Sequence, residues 1–311
     1  MKKIAFMFPG QGSQTVGMGK DFYDKYPSIQ ELYKEAGESL DMDIARLMFE
    51  GPEDTLTETE NAQPALLLSS IAAHTLLLKE EVQPVMTVGH SLGEYSALVA
   101  SGALTLEEAL PLVQTRGRLM EQAFPKGKGT MAAVLGLSKE EVEEGLNEVT
   151  DIADLANLNC PGQIVISGSV EGIEQAGEVL KEKGAKRVMP LNVSGPFHSR
   201  LMKPANEEFS GYLEKVDIKG ANIPLYANVS AQPVTDQKEI KDLLVKQLFS
   251  PVRFEESIRH MIDQGVEAFV EVGSGKVLSG LVRKISRRTP TFAVQDADSL
   301  DKFITWYRED S

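Results

Sequence analysis

The 311-residue chain contains one cysteine, one tryptophan and four histidines. A single thiol, Cys160, excludes an intramolecular disulfide framework and fits a reducing cytoplasm, the expected location. No His, Cys and carboxylate spacing suggests a structural metal site. Basic residues are in deficit: 32 Lys and Arg stand against 46 Asp and Glu, a formal charge of −14. That balance argues against nucleic acid as a partner, because phosphate binding needs a basic surface. Long apolar runs are missing too. The most apolar stretch, Pro64 to Leu78, contains Ser69, Ser70 and His74 and stops at Lys79. It is too short to span a membrane and reads as a core helix. The start, Met1-Lys2-Lys3 followed by Ile4 to Phe8, runs into Pro9-Gly10 without a small-residue cleavage site. It reads as a first buried strand, not a leader. With 42% hydrophobic and 25% charged residues, the composition is that of a globular protein with one large domain and room for a smaller companion.

What is present is an alternation of strands and helices. Strands are predicted at 4–8, 82–88, 223–228 and 268–272. Helices are predicted within 17–50 and at 64–79, 92–101, 107–122, 204–216, 240–247, 254–264 and 277–285. Residues 127–194 carry a separate pattern, β-α-β-β-α-β, with strands at 130–137, 152–157, 163–168 and 185–193. Its first helix opens on Ser138, with Glu141 completing a capping box, and its second covers 170–183. That order marks a ferredoxin-like split unit. The expectation is an α/β fold: a parallel-sheet large domain from 1–126 and 195–311, interrupted by an inserted ferredoxin-like domain at 127–194.

The most informative motif is Gly89-His90-Ser91-Leu92-Gly93, placed after a strand and before a helix. Gly-x-Ser-x-Gly in that setting is a nucleophile elbow. The turn lifts the Ser91 hydroxyl above the strand ends. The following helix aims its free N–H groups at any oxyanion formed there. A serine needs a base. His74 lies in an apolar helix, His260 follows Arg259 on a charged helix that reads as surface, and His90 is too close to Ser91 on a sharp turn. His198, in the turn Gly195-Pro196-Phe197-His198, is the candidate base. No single acid is selected by spacing, and a main-chain carbonyl can equally orient the histidine. Arg116 can grip a carboxylate bidentately, though its helix also permits a solvated face. The glycines at 10, 12, 17 and 19 do not make a nucleotide loop: the third position of Gly-x-Gly-x-x-Gly falls on Thr15. Cys160 reads as a packed turn residue.

Taken together, seven segments resemble the bacterial malonyl-CoA:acyl-carrier-protein transacylases of type II fatty acid synthesis. They begin at Phe8-Pro9-Gly10-Gln11-Gly12-Ser13-Gln14, Gly89-His90-Ser91-Leu92-Gly93-Glu94-Tyr95 and Arg116-Gly117-Arg118-Leu119-Met120. They continue at Asn159 to Gln163, Gly195 to Ser199, Gln247 to Val252 and Glu271 to Leu278, in family order over nearly the whole chain. The resemblance implies a hydrolase-like large domain with a ferredoxin-like insertion. It implies that Ser91 carries the acyl group, that His198 acts as base and then acid, and that the N–H groups of Gln11 and Leu92 form the oxyanion hole. It further implies that Arg116 holds the malonyl carboxylate and that the main-chain carbonyl of Gln247 orients His198. One departure stands out: Gly273-Ser274-Gly275 replaces a frequent Gly-Pro-Gly, a change expected to affect only loop stiffness.

The expected activity is ping-pong transfer of malonyl from malonyl-CoA to the phosphopantetheine thiol of acyl carrier protein. No metal or bound cofactor is expected. Phe197, beside the base, is expected to limit room around the acyl group. The carrier protein of this pathway is acidic, so the basic run Arg283-Lys284-Ile285-Ser286-Arg287-Arg288 and the pair Lys186-Arg187 are its candidate docking patches. A serine thioesterase shares the elbow, and a non-enzymatic carrier-binding module is a further alternative. The intact set Gln11, Ser91, Arg116 and His198 argues against the second. Acyltransferase domains of polyketide synthases share these motifs, and the chain length favours the free-standing enzyme.

Overall fold

The computed structural model describes residues 2–309. Met1, Asp310 and Ser311, the outer ends of the predicted large domain, lie outside the described residues. The strands, in chain order, are β1 (Ile4–Phe8), β2 (Met86–Gly89), β3 (Gly129–Leu135), β4 (Ala153–Cys160) and β5 (Gln163–Ser169). There follow β6 (Arg187–Pro190), β7 (Leu225–Tyr226), β8 (Pro233–Val234), β9 (Ala268–Val272) and β10 (Thr291–Val294). The helices of the first third are α1 (Lys20–Lys25), α2 (Pro27–Leu40), α3 (Ile44–Glu50), α4 (Glu53–Thr57), α5 (Thr59–Lys79), α6 (Gly93–Ala100) and α7 (Leu106–Gln122). After these come α8 (Lys139–Leu146), α9 (Val170–Glu182), α10 (Lys203–Lys215), α11 (Gln237–Gln247), α12 (Phe254–Asp263), α13 (Val277–Ile285) and α14 (Ala297–Arg308).

The larger sheet has the order β10-β9-β1-β2-β7-β8 and is parallel except for the β7–β8 pair. Its centre explains the apolar start of the chain. Successive strand residues point to opposite faces. Ile4, Phe6 and Phe8 enter the core built with α5, while Ala5 and Met7 enter a second core with α12 and α13. A strand covered on both faces has no polar side to display, hence the unbroken run Ile-Ala-Phe-Met-Phe. Four neighbouring parallel strands, β9, β1, β2 and β7, therefore deliver their C-terminal loops to one edge. That edge is where open α/β sheets bind ligands.

The smaller sheet, β4-β5-β3-β6, is antiparallel. Its third and first strands are central, which is the ferredoxin-like order. Ala132, Val134, Ile164 and Ile166 pack with Val142, Ile173 and Leu180 of α8 and α9 into a core of their own. The capping box at α8 is present: Ser138 Oγ accepts from Glu141 N, and Glu141 Oε2 from Ser138 N. Strand β4 also leans on the large domain, exchanging main-chain hydrogen bonds with Val252.

Several boundaries differ from the sequence pattern. Helix α5 starts at Thr59, not 64, and runs through Pro64. Proline lacks the N–H that would bond the Glu60 carbonyl. Packing along α7 carries the helix through the gap, and it is so close at one end that a Cβ on Gly117 would lie 2.5 Å from the Thr59 carbonyl oxygen. The strand expected at 82–88 is confined to 86–89, that at 223–228 to 225–226, and that at 185–193 to 187–190. Residues 191–193, past the end of β6, line the central cleft instead. Helix α4, strands β8 and β10, and helix α14 had no counterpart in the expected pattern. Strand β10 is partly exposed and gains its cover from α14, through Phe292 against Phe303 and Trp306. Among the described residues no helix is long and apolar enough to cross a membrane.

Candidate active site

Strand β2 ends in the elbow. Ser91 has φ 53°, in the left-handed region that side chains avoid. The flanking glycines are required by close approach: a Cβ on Gly89 would lie 1.8 Å from Gly93 C, and one on Gly93 2.0 Å from the Phe8 carbonyl oxygen. The turn thus wedges between its own helix and strand β1. His198, in the loop after β6, also has positive φ, 59°. The two strained residues meet. Ser91 Oγ is 2.8 Å from His198 Nε2.

His198 Nδ1 lies 3.0 Å from the main-chain oxygen of Gln247. A carbonyl only accepts, so Nδ1 carries the ring proton and Nε2 is left to accept from Ser91. Burial, reinforced by the Arg116 charge, pushes the His198 pKa down to about 3. The imidazole is therefore neutral, as a base must be. Among the described residues no carboxylate hydrogen-bonds this ring, so the orienting group left open by the sequence is the Gln247 carbonyl.

Arg116 does not occupy a solvated helix face: it is 0% exposed. Its Nη1 donates to Gln63 Oε1 at 2.8 Å, and its Nη2 to Gln247 Oε1 at 3.0 Å and to Ser91 Oγ at 3.2 Å. The guanidinium lies 5.3 Å from the Tyr95 ring centroid. Burial lowers its pKa, though a guanidinium stays charged in proteins. Ser91 Oγ therefore accepts from a cation while donating to a neutral base.

Gln11, Phe197, Ser91 and His198 all line one cleft of about 260 Å³, with Met120 and Met131 among its apolar walls. Leu92, wholly buried, sits at the start of α6. The main-chain N–H groups of Gln11 and Leu92 make no hydrogen bond among the described residues, and the Gln11 side chain is tethered to Thr59 Oγ1 at 3.1 Å. The Ser91 N–H, by contrast, is taken by Asn228 Oδ1. Ser274 does more than stiffen its loop: its hydroxyl donates to the Ser13 carbonyl at 2.6 Å, bracing the loop that carries Gln11. A proline there has no donor. The buried carboxylate of Glu271 accepts from Leu278 and Ser279 N–H groups, pinning the start of α13, which walls the cleft with Val277, Leu278 and Leu281.

The other histidines are accounted for. His90 turns away to Asn159 Oδ1 at 2.9 Å. His74 packs edge-on against Phe6 and Phe8. His260 is half-buried, not a surface residue, with its ring 5.6 Å from that of Tyr226. Cys160 is buried, and burial raises its pKa. Two site residues were missed in the sequence, Glu94 and Asn228. Glu94 Oε2 accepts from Gln247 Nε2 at 2.7 Å and from Asn228 N at 3.1 Å. Burial lifts its pKa to about 7. A carboxylate opening an otherwise apolar helix, Tyr95 to Ala100, was the available signal. Asn228 carried none. Among the described residues no cluster of His, Cys, Asp or Glu can hold a metal ion.

A parallel α/β sheet thus gathers a serine on an elbow, a carbonyl-held histidine and a buried arginine at one site, and the class of protein is that of the acyltransferases. The family model described as acyl transferase domain matches residues 5–300. The chain is 51% identical over 314 residues to the malonyl CoA-acyl carrier protein transacylase of Bacillus subtilis (strain 168), covering 100% of this chain and 99% of that one. It is 49% identical to the enzyme of the same description from Staphylococcus aureus (strain MRSA252), covering 96% and 98%. The crystal structure of an acyl carrier protein S-malonyltransferase from Vibrio cholerae superimposes with a TM-score of 0.95 at 42% identity, over 97% of this chain and 100% of that one. A malonyl-transacylase solved in complex with a type II PKS acyl-carrier protein matches with a TM-score of 0.95 at 38% identity, over 97% and 99%. The chain belongs to the malonyl CoA-acyl carrier protein transacylase family of acyltransferases.

Proposed function

We propose that this enzyme transfers malonyl from malonyl-CoA to the phosphopantetheine thiol of acyl carrier protein through an ester on Ser91. The carrying observation is the pair of contacts at Ser91 Oγ, one to His198 Nε2 and one to Arg116 Nη2. These contacts support reading Ser91 as nucleophile, His198 as base and Arg116 as carboxylate receptor. Ser91 Oγ attacks the thioester carbon as its proton passes to His198. The carbonyl oxygen becomes an oxyanion facing the N–H groups of Gln11 and Leu92, where one such donor is worth about 10²–10³ in rate. The C–S bond then breaks and His198 returns the proton to the coenzyme A sulfur. Imidazolium beside the Arg116 charge is unfavourable, which drives this return. The pantetheine thiol repeats the sequence in reverse, and Ser91 recovers its proton.

Every proton and charge in this cycle is handled by the chain itself, so we assign no resident cofactor. The malonyl carboxylate pairs with Arg116. Acetyl offers no partner and leaves the buried cation unpaired, which disfavours it. Phe197, buried beside the base, narrows the cleft around the acyl group. The carrier protein docks on the basic patch that Arg283, Lys284, Arg287 and Arg288 expose at the end of α13. Lys284 Nζ reaches Gln163 Oε1 of β5, across the cleft mouth. The cytoplasm, where these substrates are used, is the proposed location. A thioesterase is the second reading, and it differs in the fate of the ester. Incubation with malonyl-CoA and intact-protein mass measurement decides: a persistent malonyl adduct, absent in Ser91→Ala, is expected. Turnover to free malonate without an adduct overturns the transferase.

A further inference from the structure

The elbow holds Ser91 at φ 53°, a conformation that costs a non-glycine residue energy and persists only where its surroundings enforce it. We propose that Asn228 is the positioning residue that enforces it, clamping the turn so that Ser91 Oγ faces His198 and Arg116. The inference rests on the reading that Ser91 is acylated.

Register brings Asn228 to the elbow. Strand β7 pairs with β2 in parallel, Val88 opposite Tyr226. Two residues further, Asn228 lies beside the turn, 1% exposed. Its carboxamide spans the turn from both ends. Nδ2 donates to the Gly89 carbonyl at 2.6 Å, and Oδ1 accepts from the Ser91 N–H at 2.8 Å. These groups have lost their sheet partners because β2 ends at Gly89. Returning Ser91 to an ordinary backbone conformation rotates the peptide groups around it and breaks the clamp. Asn228 is itself fixed: its N–H donates to Glu94 Oε2, its carbonyl accepts from Arg253 N at 3.0 Å, and Gln247 Nε2 approaches its Oδ1 at 3.4 Å. The clamp also consumes the Ser91 N–H, which reserves the adjacent Leu92 N–H for the oxyanion.

A clamp of this kind sets the rate of acylation, not the recognition of malonyl. The test is single-turnover acylation by malonyl-CoA and by acetyl-CoA without carrier protein, with the adduct amplitude counting competent sites. For Asn228→Ala the rate constant per competent site is expected to fall about tenfold to a hundredfold, with KM and the malonyl-to-acetyl ratio within about threefold of the unmodified enzyme. Asn228→Asp keeps the size and the acceptor but puts a carboxylate oxygen against the Gly89 carbonyl, and the same loss is expected. Partial unfolding lowers the amplitude and leaves the rate constant to judge. An unchanged rate constant in either variant overturns the clamp, and so does a fall in selectivity that tracks the rate. If the unmodified enzyme forms no adduct on Ser91, the functional reading fails instead.

Discussion

Arg116→Ala tests the origin of malonyl selectivity. In the proposed substrate complex the guanidinium, 0% exposed, pairs with the malonyl carboxylate. Breaking such a pair costs about 3–5 kcal/mol. At about 1.4 kcal/mol per factor of ten, kcat/KM for malonyl-CoA should fall roughly 150- to 4,000-fold. Acetyl has no carboxylate to lose, so it is affected only through the Arg116 contact to Ser91 Oγ, which both substrates share, and the malonyl-to-acetyl ratio is expected to fall. The Ser91–His198 contact does not pass through Arg116, which leaves the base in place. The substitution does strand the side-chain oxygens that Gln63 and Gln247 offer to the guanidinium. A loss of competent enzyme is therefore expected as well, and the comparison must be internal. Equimolar malonyl-CoA and acetyl-CoA are mixed with enzyme and the two adducts are resolved by mass. Their ratio is independent of how much enzyme is folded. A ratio within threefold of the unmodified enzyme would falsify the assignment of Arg116 as the carboxylate receptor. Arg116→Lys keeps the charge without the fork and should recover only part of the ratio.

The remaining predictions concern docking and acid stability. Arg287→Glu with Arg288→Glu should raise KM for the carrier protein and leave self-acylation by malonyl-CoA unchanged, read from steady-state transfer and single-turnover mass measurement. Equal effects on both steps would remove the patch from consideration. His74 is held neutral by burial, its pKa lowered to about 4 from 6.5. Its contribution is fully present above pH 6.5 and is lost as pH falls toward 4, amounting to about 3 kcal/mol. His198 acts in the same direction, whereas Glu94, with its pKa raised, is destabilising as pH climbs from about 4.5 through 7. His74→Phe, which keeps a ring against Phe6 and Phe8, should flatten the acid limb of urea-unfolding stability between pH 6.5 and 4. Parallel curves for the two proteins would show that His74 does not titrate on unfolding.

Local residue order carried much of this enzyme. The glycines at 89 and 93 announce a strand-turn-helix because only a missing Cβ permits the turn to wedge against Phe8. The apolar run of β1 announces a doubly covered central strand for an equally local reason. The Ser138–Glu141 capping box lies within one helical turn and was visible as such. Other features depend on segments far apart in the chain. Arg116 on its own helix is compatible with solvent, and its burial follows from α5 and α11 bringing Gln63 and Gln247 to it. The acceptor for His198 is a main-chain oxygen, identical in every residue, so no side chain marks it apart from family resemblance. Asn228 is an ordinary polar residue until strand pairing sets it beside the elbow, and Glu94 becomes unusual only once α6 is enclosed. The elbow at Ser91, where the proposed chemistry is focused, was determined by five consecutive residues. What surrounds Ser91 Oγ was decided by tertiary packing, which brings α7 with Arg116 and the loop after β6 with His198 to the end of β2.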